Sequence, residues 1–149
     1  MKKTILNFII SIVLLLISTG VSFAQTDKPY TDGPLWQVQF VHTKLGMNNL
    51  YLKNLSEGWV KQMRAAKEAG LILDYKVFSA LPSSENDWDL MLLYELKNYA
   101  MLDGFREKME ALSRKVLNAD DDGLHAKAML RNDLRVTQGG KLTQELLFK

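Results

Sequence analysis

The hydrophobic period of this chain changes along its length in an order that few folds accommodate. From Trp36 to Thr43 the period is two: Trp36, Val38, Phe40 and His42 share one parity, and Gln37, Gln39, Val41 and Thr43 the other. After Lys44-Leu45-Gly46 it becomes helical, with Leu52, Leu55, Trp59, Met63 and Ala66 spaced by three and four as far as Gly70. The polar side of that helix carries Lys53, Glu57, Lys61, Arg64 and Lys67, which reads as a solvated face. Leu71 to Ala80 is rich in β-formers and ends in the loop composition of 81–86, and Asp87 to Leu96 follows as a third strand. Leu90 and Leu92 are apolar on one parity and Met91 and Leu93 on the other, so the middle of that strand is expected to be buried on both faces. Asn98 is placed to cap a second helix in which Leu102, Phe105, Met109, Leu112 and Val116 repeat. Asp120-Asp121-Asp122-Gly123 breaks that pattern, a short third helix is expected over 124–134, and a last strand over 142–148 after Gly139-Gly140.

The order β-α-β-β-α-(α)-β is that of the split βαβ, or ferredoxin-like, α+β arrangement: four antiparallel strands with the helices on one face. An additional short helix precedes the last strand. Helices cover one side only, yet the third strand is apolar on both. A second copy of the same face is the simplest cover in a one-domain protein, so a homodimer with its sheets packed face to face is expected.

Ahead of this domain, Lys2 and Lys3 precede an apolar run from Ile5 to Ile17 and small residues ending at Ser22-Phe23-Ala24. That is the pattern of a secretory signal peptide over 1–24, with a run shorter than the ~20 residues that span a membrane. Cleavage after Ala24 leaves a flexible segment over 25–34, with two prolines and a glycine, and a folded domain over 35–149. The expected address is the periplasm or the exterior, with no membrane anchor once the leader is removed. Losing Lys2 and Lys3 brings the charges to 17 basic against 17 acidic, so nothing favours a polyanion such as nucleic acid. The chain has no cysteine, which excludes disulfides, thiolate metal sites and a thiol nucleophile.

The turn Val41-His42-Thr43-Lys44-Leu45-Gly46 and the join Tyr94-Glu95-Leu96-Lys97-Asn98-Tyr99-Ala100-Met101-Leu102 resemble the dimeric α+β barrel superfamily. The likeness runs from about Leu35 to Phe148. It takes in antibiotic-biosynthesis monooxygenases, haem-degrading monooxygenases and small exported bacterial proteins of unknown function. The last are the nearer match, through the leader and Trp88-Asp89-Leu90-Met91-Leu92. The resemblance implies a dimeric barrel. Haem-degrading members carry a histidine about one turn after the alanine of the second helix; that position falls near Gly104 here, and no histidine lies between Thr43 and Leu124. The resemblance therefore carries no haem ligand to this chain.

Chemistry-bearing residues are few. His42 shares parity with Trp36, Val38 and Phe40 and could point between sheet and helices, as a base or as a satisfied histidine at a strand end. Trp36, Phe40, His42, Trp59, Tyr75, Trp88 and Tyr94 are the candidate lining of a pocket for a flat apolar ligand; at these spacings they equally describe core. If Trp88 faces the helices, Asp89 and Glu95 face the dimer seam or solvent. Asn118, Asp120, Asp122 and Gly123 imitate the opening of a calcium loop, but Ala126 and Met129 stand where its later ligands belong, and the cluster reads as a helix start. His125 beside those acids is expected at the surface, and no metal or cofactor site is expected. With no phosphate loop, nucleophile elbow or paired His-Glu helix motif, the expected function is a small-ligand-binding or interaction domain. The alternative is a cofactor-independent oxygenase acting on an aromatic or quinone-like substrate, and a third reading makes 119–135 a docking surface for a partner.

Overall fold

The computed structural model describes residues 28–149. The expected leader, and the start of the segment expected to be flexible, lie outside the described residues. Four strands, β1 (Tyr30–Thr43), β2 (Asp74–Ser79), β3 (Leu90–Leu96) and β4 (Arg135–Phe148), form one antiparallel sheet in the order β2-β3-β1-β4. The α-helices of the described residues are α1 (Asn48–Leu55), α2 (Lys61–Glu68), α3 (Phe105–Leu117) and α4 (Asp121–Leu134). This is the ferredoxin-like α+β fold that the order of periods predicts.

Local chemistry sets the differences from expectation. β1 begins at Tyr30 rather than Trp36, because Tyr30 pairs with Phe148 and their rings meet edge-on at 6.0 Å. Gly139 and Gly140 lie inside β4 rather than before it: Phe40 pairs with Gly139 and Val41 with Thr137, leaving Gln138 as an extra residue. Gly139 takes φ +112, which a side chain would resist. Asn98 does not cap α3: it precedes a 3-10 turn, Tyr99–Leu102, with no side-chain cap bond, and a left-handed Gly104 stands before α3 at Phe105. Asp120 does cap α4, its carboxylate accepting from the Gly123 amide at 2.9 Å, so the acidic cluster is a helix start.

The first long helix is not uniform. Between α1 and α2 the chain makes a π turn over Ser56–Val60, which inserts one residue into the helical repeat. Leu52, expected on the buried face, is exposed, and Tyr51 is buried in its place. Two clusters make up the core. One joins Leu35 and Leu96 to Met63, Ala66 and Ile72, and the other joins Val41, Leu90 and Leu92 to Tyr51 and Leu55. Trp59, from the π turn, packs against both.

Register assigns the two faces of the sheet. Tyr75, Tyr94, Gln37 and Leu142 form one row across the four strands on the helix side, and Val77, Leu92, Gln39 and Gly140 the next. On the other side the rows run Phe78, Met91, Phe40, Gly139; then Lys76, Leu93, Val38, Lys141; then Asp74, Glu95, Trp36, Thr143. No element among the described residues covers that second side. The middle of β3 is apolar on both faces, as expected, with Leu90 and Leu92 buried and Met91 and Leu93 half-buried.

Candidate functional site

The helix side of β1 presents two amides where a core strand ordinarily presents aliphatics. Gln37 and Gln39 sit between Tyr94 and Leu92 of β3 and the Leu142-to-Gly140 stretch of β4. Gly140 stands opposite Gln39, and Gly139 and Gly140 border a cavity of ≈ 440 Å³. Its walls are Gln37, Gln39, Trp59, Leu92, Tyr94 and Thr137, with the backbone of Gly139 and Gly140 at the β4 edge.

The π turn places the indole that closes this cavity. Trp59 meets the Tyr75 ring edge-on at 5.9 Å, and Tyr94 stacks on Phe105 at 5.5 Å, so both large aromatics on the wall are held by a second ring. Burial pushes the Tyr94 phenol above its ordinary pKa, which keeps it protonated and able to donate. Tyr94 is the one ionisable side chain among the lining residues. Walls of this kind hold an uncharged molecule by area and orient it through a few hydrogen bonds, since each glutamine amide both donates and accepts.

The seven aromatic and imidazole candidates divide between two faces. Trp59 and Tyr94 line the cavity and Tyr75 supports Trp59 from behind. Trp36, Phe40 and His42 share the parity expected of them but lie on the uncovered side, since the neighbouring Leu35 and Val41 are the ones that enter the helix-side core. Trp88 precedes β3 and tilts onto Phe40 at 5.2 Å, rather than facing the helices. The sheet stands between the two groups, so they do not line one pocket. Gln37, Gln39 and Thr137, which sequence reasoning passed over, take the remaining places on the wall. The available signal was two glutamines sharing parity with Val41 in a β1 otherwise built of β-formers.

His42 lies at the end of β1, where its Nδ1–H donates to the Asp87 carbonyl at 2.8 Å. That bond fixes the tautomer and leaves Nε2 with the lone pair in the neutral ring. The same strand end is tied by Asp89, whose carboxylate accepts from the Thr43 amide at 3.1 Å and from the Thr43 hydroxyl. Asp87 accepts from the Ser83 amide and hydroxyl, which holds its pKa below the ordinary carboxylate value. These contacts organise the loop before β3. Glu95 faces the uncovered side across from Trp36, with its pKa raised by burial and by the charges of Asp74 and Glu145. Lys76 lies over the Trp36 ring at 4.8 Å.

No protein-family model and no curated protein matches this sequence. Among solved structures, a dimeric ferredoxin-like protein from an uncultured marine organism superposes with a TM-score of 0.50 at 9% identity, over 80% of this chain and 90% of that one. A dimeric ferredoxin-like protein of unknown function from Jannaschia sp. CCS1 aligns with a TM-score of 0.38 at 9% identity, over 76% of this chain and 98% of that one. The first of these shares the fold that the strand order and register described above define: the chain is a ferredoxin-like α+β domain.

Proposed function

We propose that this protein is an exported homodimer, joined through the uncovered faces of its two sheets, in which each copy binds a small, uncharged, mostly apolar molecule in the cavity beneath Trp59. The observation that carries the reading is the wall itself: an indole, a protonated phenol, a leucine and two glutamine amides, without a fixed charge. A flat molecule with an apolar body and a carbonyl or hydroxyl at its edge matches those groups. Pairing is supported by the central row Phe78, Met91 and Phe40, with Trp36 and Leu93 beside it, since a contiguous apolar sheet face marks an interaction surface. The dimeric state stated for the marine ferredoxin-like protein points the same way. The N-terminal charged and apolar run supports delivery to the periplasm or beyond.

Native mass spectrometry of the protein purified from its own host tests both parts together. The expected spectrum is a dimer with a small retained mass that is lost in Trp59→Ala. A monomer at micromolar concentration refutes the pairing. A dimer without retained mass, whose tryptophan emission no neutral aromatic compound alters, refutes the cavity reading. Catalysis in the same cavity, the oxygenase reading, would rest on the Tyr94 phenol rather than on His42, which lies across the sheet. Its mark would be substrate-dependent oxygen uptake that disappears in Tyr94→Phe.

A further inference from the structure

The groove between α3 and α4 combines an apolar floor with positive charge that nothing in the described residues balances. Phe105, Met109 and Leu117 of α3 and Leu124 of α4 form the floor of a depression of ≈ 280 Å³. Arg106, Glu110, Lys127 and Arg131 stand around it. Glu110 is already engaged, accepting from Arg106 Nε at 2.8 Å. Lys127 and Arg131, one turn apart on α4, make no ion pair among the described residues.

Arg131 is half-buried, although a guanidinium without a counter-charge is costly to withdraw from water. Its Nη1 lies 3.8 Å from where a side chain at Gly58 would begin, so the π turn closes over it. Burial and the neighbouring Arg135 together hold its pKa below the ordinary guanidinium value. Arg135 gives Nη1 to the Tyr51 hydroxyl at 2.9 Å, while its Nε is buried without a partner. Two guanidiniums thus share one corner, and neither is bonded to a carboxylate among the described residues.

We infer that this groove binds a small amphipathic carboxylate, with the acid on Arg131 and Lys127 and the apolar body along Phe105, Met109 and Leu124. Guanidinium and carboxylate match as a two-point, charge-assisted pair, and an ammonium one turn away adds a third contact. The size of the depression, near the lower end of the ~300–1,000 Å³ typical of ligand pockets, selects a medium-chain or single-ring acid over a long-chain lipid. The site shares no lining residue with the cavity beneath Trp59.

The test is a titration of the purified chain with sodium octanoate, followed by the arginine Nε resonances and compared with octanol and sodium acetate. A saturable shift at Arg131 is expected for octanoate, with octanol and acetate weaker by about tenfold or more, the loss of one charge-assisted contact or of the apolar one. Arg131→Gln should weaken octanoate by about the same factor and the exposed Lys127→Ala by severalfold. The Trp59 indole resonance should stay in place, so this inference and the cavity reading fail independently. Equal binding of octanol or acetate overturns it, as does undiminished octanoate binding in both variants. Binding to phosphatidylglycerol vesicles without a response to octanoate also overturns it, since the anion would then be a bilayer headgroup.

Discussion

Adding one methyl group at Gly140 isolates the role of the close approach between β1 and β4. A Cβ built there would stand 2.5 Å from the Val38 carbonyl oxygen, 3.5 Å from Gln39 Cα and 3.6 Å from the Val38 carbonyl carbon. Carbon–oxygen contacts between strands settle near ~3.3 Å, so β4 must retreat by about 0.8 Å at that point. The obstacle is backbone in a hydrogen-bonded ladder and cannot rotate aside. Overpacking of this kind costs about 1–3 kcal/mol, and a backbone obstacle places Gly140→Ala in the upper half, about 2–3 kcal/mol. For a chain of this size each kcal/mol lowers Tm by roughly 3–6 °C, so the expected loss is roughly 6–18 °C. Thermal unfolding by circular dichroism at one fixed protein concentration measures it, since dimerisation would make Tm concentration-dependent. Gly46→Ala is the control: φ there is +75 with nothing within 4 Å, so only the backbone penalty of about 1 kcal/mol applies. A Gly140→Ala protein that melts within about 2 °C of the parent, or a Gly46→Ala protein that loses more than Gly140→Ala does, would refute the reasoning.

Gly58→Ala should do the opposite. Its Cβ would meet Arg131 Nη1 at an ordinary 3.8 Å, and replacing glycine inside a helix adds about 0.5–1 kcal/mol, read as a rise in Tm. A fall would show that the π turn requires glycine. Glu95→Gln should raise stability at neutral pH and tighten the proposed dimer by sedimentation. Because the folded-state pKa of Glu95 lies above its ordinary value, its contribution is fully present below that value and lost as pH rises through the folded one. Equal Tm values for parent and variant at pH 7 would remove this account. Asp87 carries the reverse sign: its lowered pKa adds stability above its ordinary 3.8 that is lost as pH falls through the folded value. Asp87→Asn should therefore flatten the acid limb of a Tm-versus-pH curve, and an unchanged limb would contradict it.

The order of strands and helical stretches along the chain was legible because periods of two and of three to four depend on local spacing alone. The faces of β1 were harder. The alternation was right, but Trp36, Val38 and Phe40 make the more hydrophobic side, and reading the hydrophobic side as inward sends His42 toward the helices. The structure puts Gln37 and Gln39 there instead, beside a cavity bordered by Gly139 and Gly140, which belong to a strand far away in sequence. Nothing local to β1 encodes that pairing. The π turn was hidden for a related reason: an extra residue in a helix leaves three-and-four spacing intact on paper while changing which residue faces inward, Tyr51 instead of Leu52. Gly139-Gly140 read as a turn because glycine pairs usually mark one, and only the partner strand shows them to be a bulge.

The wide turn at Ser56–Val60 has a mechanical consequence. Eight residues separate Leu55 from Met63, which in an unbroken α-helix would point them about 80° apart; at the slower winding of a π turn the two come close to eclipsed. One helix is thereby able to serve as the spine of two cores, with Leu55 anchored in one and Met63 in the other. Trp59 is the hinge pin between them and also the roof of the cavity. Whatever leans on that indole leans on both halves of the protein at once, so an occupant of so small a space would brace the whole domain.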